Sequence, residues 1–113
     1  MGQPELIKGA SQFIILGILA RGPRYGYDIA RQAKEQSHGQ FLLKEGTLYV
    51  ALRRLEESGD IHAFWSEEAS GGGKRKYYAV TDKGRKRLQQ QLEEFRAVKA
   101  LLEWFGGNED ETN

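Results

Sequence analysis

The spacing of apolar residues changes period at Gly59, and that change constrains the fold more than any other feature of the chain. Before it, Leu48, Ala51, Leu52 and Leu55 recur three and four residues apart between Lys44 and Gly59, the apolar stripe of a helix laid on a core. After it, Ile61, Ala63 and Trp65 alternate with His62, Phe64 and Ser66, and Tyr77 to Val80 form a second aromatic and β-branched run. Alternation of that kind is the mark of strands. The helix also has a polar side, with Thr47, Tyr49 and Val50 near its start and Arg53 and Arg54 further on, and Gly59 stands where a left-handed cap closes it. Taken alone, this is an ordinary amphipathic surface helix.

Its neighbours give it a context. A first helix runs from Glu5 to about Arg21, apolar around more than one face and therefore central, and Gly22-Pro23 stops it. Tyr25-Gly26-Tyr27-Asp28 leads into a second short helix ending near Gln36. Ser37-His38-Gly39 makes a turn, and Phe41-Leu42-Leu43 is a short extended piece. Three helices in roughly sixty residues with short joints fit a helix-turn-helix. Between the two strand patterns lies Glu67 to Gly73, ending in three glycines, with Lys74, Arg75 and Lys76 at its base. A hairpin with a glycine-rich tip and a basic shoulder, placed directly after a helix-turn-helix, makes a winged helix. The fold class is α+β and mostly helical, with a two-stranded wing. The triple glycine is no phosphate loop, because no Gly-Lys-Ser/Thr follows and the glycines open a strand where a phosphate site needs a helix N-terminus.

Thr81 is the expected N-cap of a last helix over 82–105. Leu88, Leu92, Phe95, Val98, Leu102 and Phe105 recur along it at spacings of four and three, widened late by Leu101 and Trp104. At 1.5 Å per residue it runs roughly 36 Å, longer than a small winged-helix body needs. Its later half has no partner in its own subunit, so Leu92, Phe95, Val98, Leu102 and Phe105 are the expected contacts of a symmetric dimer. The other reading is a helix that folds back to complete its own core. The expected organisation is 1–81 as the DNA-binding unit, 82–105 as the dimerisation helix and 106–113 as a disordered acidic tail.

Composition narrows the function classes. The 113 residues carry a net charge of +1, so any basic surface comes from local segregation, as between Lys74 and Arg87. There is no cysteine, and two isolated histidines make no zinc site, so no metal or cofactor is expected. Neither a nucleophile elbow nor an acid/base pair suggests an enzyme. The apolar run from Phe13 to Ala20, interrupted by Gly17, is too short to span a bilayer and lacks the pattern of a signal peptide, which makes no membrane and a cytoplasmic setting the expectation.

Several stretches together carry a family resemblance. Gly22-Pro23 with Tyr25-Gly26-Tyr27-Asp28-Ile29, Glu45-Gly46-Thr47-Leu48-Tyr49 with Leu52-Arg53-Arg54-Leu55-Glu56, and Gly72-Gly73-Lys74-Arg75-Lys76-Tyr77-Tyr78 with Val80-Thr81-Asp82-Lys83-Gly84 resemble the PadR family of winged-helix transcriptional regulators, in its small-subunit branch. The chain departs from the family where Val50 stands in place of a frequent Pro and Lys44 in place of a frequent Ser or Asn. The resemblance implies a homodimeric repressor that leaves its double-stranded DNA operator when a small molecule binds. A winged-helix protein-interaction module without DNA binding is the competing reading, motivated by the near-neutral charge and by Lys44 with Val50.

For the DNA face, Thr47 and Tyr49 offer hydroxyls to phosphates or base edges, and Arg53 suits phosphate or guanine. The bland alternative for Arg53 and Arg54 is a salt-bridged face with Glu56 and Glu57. Lys44 adds a charge able to reach a phosphate. Lys74, Arg75 and Lys76 place the wing on phosphate or minor groove, at most two of them on one face of a strand. Tyr25 and Tyr27 resemble the family's backbone-contacting tyrosines, with a core aromatic as the alternative for Tyr27. Phe64, Trp65, Tyr77 and Tyr78 read as hairpin packing. The resemblance places a cavity for a small aromatic or hydrophobic effector between first and last helices across the dimer axis, where Leu6, Gln12, Phe13, Leu88, Phe95 and Lys99 fall by position. Phe95 is either a stacking platform or plain dimer core. Lys99 either binds an anionic ligand or extends its amine to solvent.

Overall fold

A computed structural model of the protein describes residues 10–67 and 73–107. The expected start of the first helix at Glu5, the pocket residue Leu6, most of the hairpin tip and the tail from Asn108 lie outside the described residues. The described elements are, in order, α1 (Ser11–Leu19), β1 (Arg24–Tyr25), α2 (Gly26–Gln36), α3 (Glu45–Glu57), β2 (Ile61–Glu67), β3 (Lys74–Val80) and α4 (Asp82–Gly106).

Helix α1 is the centre of the packing. Ile15, Leu16 and Leu19 are fully buried, Phe13, Ile14 and Ile18 are partly so, and the helix touches α2, α3, β3 and α4. On α3 the stripe sinks as its spacing requires: Leu48, Ala51, Leu52 and Leu55 are buried while Thr47, Tyr49, Val50, Arg53 and Arg54 stay outside. The extended piece before it alternates in the same way, with Phe41 and Leu43 buried and Leu42 exposed.

The sheet has one strand more than the two-stranded wing expected. Its order is β1-β3-β2, all antiparallel, with Arg24 opposite Tyr78 and Tyr25 opposite Tyr77. A two-residue strand is too short to show a period, so it left no mark in the sequence. The strand is held from behind by Asp28, buried in the first turn of α2, which accepts from Arg24 Nη1 at 2.8 Å and from Arg31. Burial pushes the Asp28 carboxyl up, but the hydrogen bonds from Arg31 and Arg24 outweigh it and hold the pKa below its ordinary value.

A dense corner joins the end of α3 to the start of α4. Gly59 closes α3 with φ 81°, left-handed as expected. Asp60 follows, wholly buried, its carboxylate taking the Ser58 hydroxyl at 2.7 Å and the Arg87 guanidinium. Its carbonyl accepts the Thr81 amide at 3.0 Å. Thr81 caps α4 as its position predicts, Oγ1 accepting from the Gly84 amide at 3.0 Å and donating to the Gly59 carbonyl at 2.7 Å. Gly84 has to be glycine, because a Cβ there would lie 2.1 Å from the Asp60 carbonyl oxygen. Lys83 adds a bond to the Ser58 carbonyl at 2.5 Å. Burial raises the Asp60 carboxyl, yet the bonds from Ser58 and Arg87 overcome it and the pKa is lowered.

Beyond Leu92, α4 leaves the body. Phe95, Val98, Leu101, Leu102, Trp104 and Phe105 are all at least half exposed, from 50% at Val98 to 80% at Phe105, and the molecule extends 64 Å along its longest axis. Within one chain the helix does not fold back to cover them.

Candidate nucleic-acid interface

The site is built on the outward face of α3. Thr47, Val50, Arg53 and Arg54 project from it, and Lys44 stands exposed at its N-cap, donating no side-chain cap bond. Among the described residues neither arginine takes an ion pair, so the salt-bridged alternative with Glu56 and Glu57 is not what forms. Glu56 instead meets Lys76 of the wing at 3.9 Å. Tyr49 is differently placed. Its hydroxyl lies against the first residue of α2, where a Cβ on Gly26 would be 2.5 Å away, so the ring braces α3 on α2 while its edge stays 46% exposed. A side chain at position 26 would push the Tyr49 ring aside, and the sequence shows that glycine only as part of a turn-like Tyr-Gly-Tyr.

Tyr27 faces solvent at 70% exposure, which removes the core-aromatic alternative. It shares a shallow cleft with Lys34, Leu42 and Lys44, so the start of α2 and the start of α3 open onto the same surface. Tyr25 is half-buried in the sheet, edge-on to Tyr77 at 5.6 Å between ring centroids, with the Arg75 guanidinium 4.4 Å above its ring. Phe64 stacks on Tyr77 at 5.8 Å and His62 lies next to Phe64 at 5.9 Å, completing an aromatic row across the outer face. Cation–π contact with Tyr25 sets the direction of Arg75.

Strand alternation divides the wing cations. Lys74 and Lys76 share the face opposite to Arg75, and Lys76 leans over Tyr78, 5.6 Å from its ring. Tyr78 is buried, and that burial raises its phenol pKa. Trp65, expected to pack in the hairpin, is 66% exposed, because the strand has risen past the core by that point and only Ile61 and Ala63 of its alternating set reach it.

The residues expected around an effector fall in three places. Phe13, Phe95 and Lys99 line a cavity of about 980 Å³ along α1 and the outer half of α4, together with Gln91, Val98 and Leu102. Gln12 belongs to a neighbouring cleft under α3. Leu88 lines neither, being a core residue with 7% exposure. Sequence reasoning missed Asp60 and Arg87, the pair that fixes α4 to α3: Asp60 follows Gly59 and reads as a turn residue, and Arg87 reads as one more cation in a basic run. No group of acidic or histidine side chains among the described residues could hold a metal ion, and no described helix is long and apolar enough to cross a membrane.

The sequence model of the transcriptional regulator PadR-like family matches residues 15–90, from α1 through the first turns of α4. The chain belongs to the PadR-like family. Among solved structures, a transcriptional regulator from Clostridium thermocellum superposes on this PadR-like chain with a TM-score of 0.83 at 33% identity, covering 94% of this chain and 99% of that one. A PadR family transcription regulator from Clostridium difficile R20291 matches at 40% identity and a TM-score of 0.77, over 86% of this chain and 98% of its own. Bacillus subtilis PadR, solved in complex with operator DNA, matches at 30% identity and a TM-score of 0.64 over 72% of this chain. This chain spans 45% of that PadR chain, so the likeness concerns one part of it.

Proposed function

We propose that the protein is a homodimeric, DNA-binding transcriptional repressor that leaves its operator when a small molecule occupies the cavity along α1 and the outer half of α4. The observation that carries the DNA part is the exposed α3 face of Thr47, Val50, Arg53 and Arg54, free of ion pairs among the described residues and flanked by Tyr27 with Lys44 and by the wing lysines. A helix with one buried and one legible face fits the major groove, and wing cations on phosphates set its register. The relative of similar fold that was solved on operator DNA supports the same reading.

In this reading residues 1–81 are the DNA-binding unit and residues 82–105 the dimerisation helix. The uncovered stripe from Phe95 to Phe105 supports a partner helix, since a soluble monomer rarely leaves so much contiguous apolar surface in water. Thr47, Arg53 and Lys44 contact DNA from α3, Tyr25 and Tyr27 from the start of α2, and Lys74, Arg75 and Lys76 from the wing. Tyr49 contributes chiefly by bracing α3. Phe13, Phe95 and Lys99 receive an effector with a planar apolar body and a group that tolerates an ammonium nearby.

Footprinting of the purified protein on the region upstream of its own gene tests this. Two protected half-sites about one helical turn apart, related by a two-fold axis, are expected for a dimer with paired recognition helices. A single unsymmetrical patch of protection would contradict the dimeric arrangement.

A further inference from the structure

A second cleft, of about 810 Å³, lies inside a single chain where α1, α3 and α4 meet. Ser11 and Phe13 reach it from α1, Thr47 and Arg54 from α3, and Arg87 and Gln91 from α4. Its chemistry differs from that of the cavity along the outer half of α4. Two arginines line the space, and among the described residues no carboxylate does. Arg54 has no ion-pair partner among the described residues. Arg87 gives one nitrogen to Asp60 and keeps further donors, since a guanidinium has five. Among the described residues the buried Gln91 Oε1 has no hydrogen-bond donor, an arrangement that is costly unless a donor arrives from elsewhere.

We propose that this cleft binds a small organic dianion that carries a hydroxyl group, of the hydroxydicarboxylate or polyol phosphate type. Arg54 and Arg87 take the two charges, or the two edges of one phosphate, in the forked geometry that guanidinium groups favour. On binding, Gln91 turns its enclosed Oε1 toward the cleft to accept from the ligand hydroxyl, and the Ser11 and Thr47 hydroxyls complete the polar rim. Phe13 and Gln91 also line the larger apolar cavity, so they form the wall between the two spaces. The described residues that line it all belong to one chain.

Its position gives binding a consequence for DNA. Arg54 is the chain neighbour of Arg53 on α3, so a bound dianion sets negative charge on the helix that approaches phosphates. Through Arg87 it also touches the Asp60 corner that holds α3 to α4. Dianion and DNA therefore exclude one another.

The test is calorimetric titration of the full chain, without DNA and at constant ionic strength, with malate, glycerol 3-phosphate, succinate and dimethyl malate. Saturable binding of malate or glycerol 3-phosphate at one site per chain is expected, and which of them binds tells the carboxylate from the phosphate source. Succinate, which lacks the hydroxyl, should bind about tenfold more weakly, the effect of one neutral hydrogen bond. Dimethyl malate, which lacks the charges, should not bind. Arg54→Gln, at an exposed position that leaves the core untouched, should weaken malate or glycerol 3-phosphate by at least about tenfold. Gln91→Leu should erase the preference for malate over succinate. No saturable heat from either hydroxylated dianion, or equal binding to the wild type and Arg54→Gln, would overturn the proposal. Because no DNA is present, these outcomes are independent of whether the operator reading stands.

Discussion

The two ends of α4 obey opposite rules. At its start, the corner around Asp60 is dense with paired groups: a buried carboxylate bonded through Oδ2, a threonine cap, a lysine on a carbonyl and a glycine with no room for a methyl. At its far end six large apolar side chains are left at least half exposed by the described residues. The first half is packed by its own chain, and the second is left open to solvent by the described residues. What the difference teaches is that one helix is clamped at one end and open at the other: if a partner covers the open end, the clamp to α3 ties it to the DNA-facing surface.

The sharpest way to break the comparison is at the shared core. Leu55→Ala, fully buried on α3, should cost about 2–5 kcal/mol in denaturant unfolding. Leu102→Glu with Phe105→Glu, both exposed in one chain, should leave monomer folding nearly unchanged while sedimentation shows the dimer lost. If the two variants lost similar intrinsic stability, the outer half of α4 would belong to the chain's own fold after all.

At the corner, Asp60→Asn should cost about 1–3 kcal/mol. Breaking a buried pair costs more than that, but Arg87 is 38% exposed and water replaces part of what it loses. On the DNA side, Arg53→Ala should cost about 1–3 kcal/mol of operator affinity and relax specificity, whereas Arg75→Ala should weaken all sequences alike and reduce the salt slope by about one. A gel-shift series over salt concentration separates these two patterns.

The smallest effect is on acid stability. The folded-state pKa values of Asp28 and Asp60 lie below the ordinary 3.8, so their contribution is full above that value and is lost as pH falls through the folded values. Urea midpoints followed from neutral pH down to about 2.5 should therefore fall below pH ~4, and Asp60→Asn should flatten that fall.

Much of this could be read from residue order, because periodicity and capping are local. Leu48, Leu52 and Leu55 with Gly59 define α3, and Thr81 defines the start of α4, each from its immediate neighbours. The features that escaped depend on residues far apart in the chain. Tyr25 becomes a strand residue only because Tyr77 is beside it, Tyr49 is a brace only because Gly26 leaves room, and Asp60 is a core residue only because Arg87 reaches it from α4. The exposed stripe on α4 was legible as lacking a cover, while Leu88, in the same stripe, lies one turn too early and is buried.

The most direct test of the central claim, that the α3 face and the wing bind DNA, is binding of the purified full chain to the fragment upstream of its own gene and to a scrambled fragment, each titrated with salt. The account predicts a shift of the upstream fragment well below micromolar protein, at least about a thousandfold tighter than the scrambled one, with affinity falling steeply as salt rises. Equal, weak binding to both fragments would contradict it and favour a winged-helix module that binds protein partners.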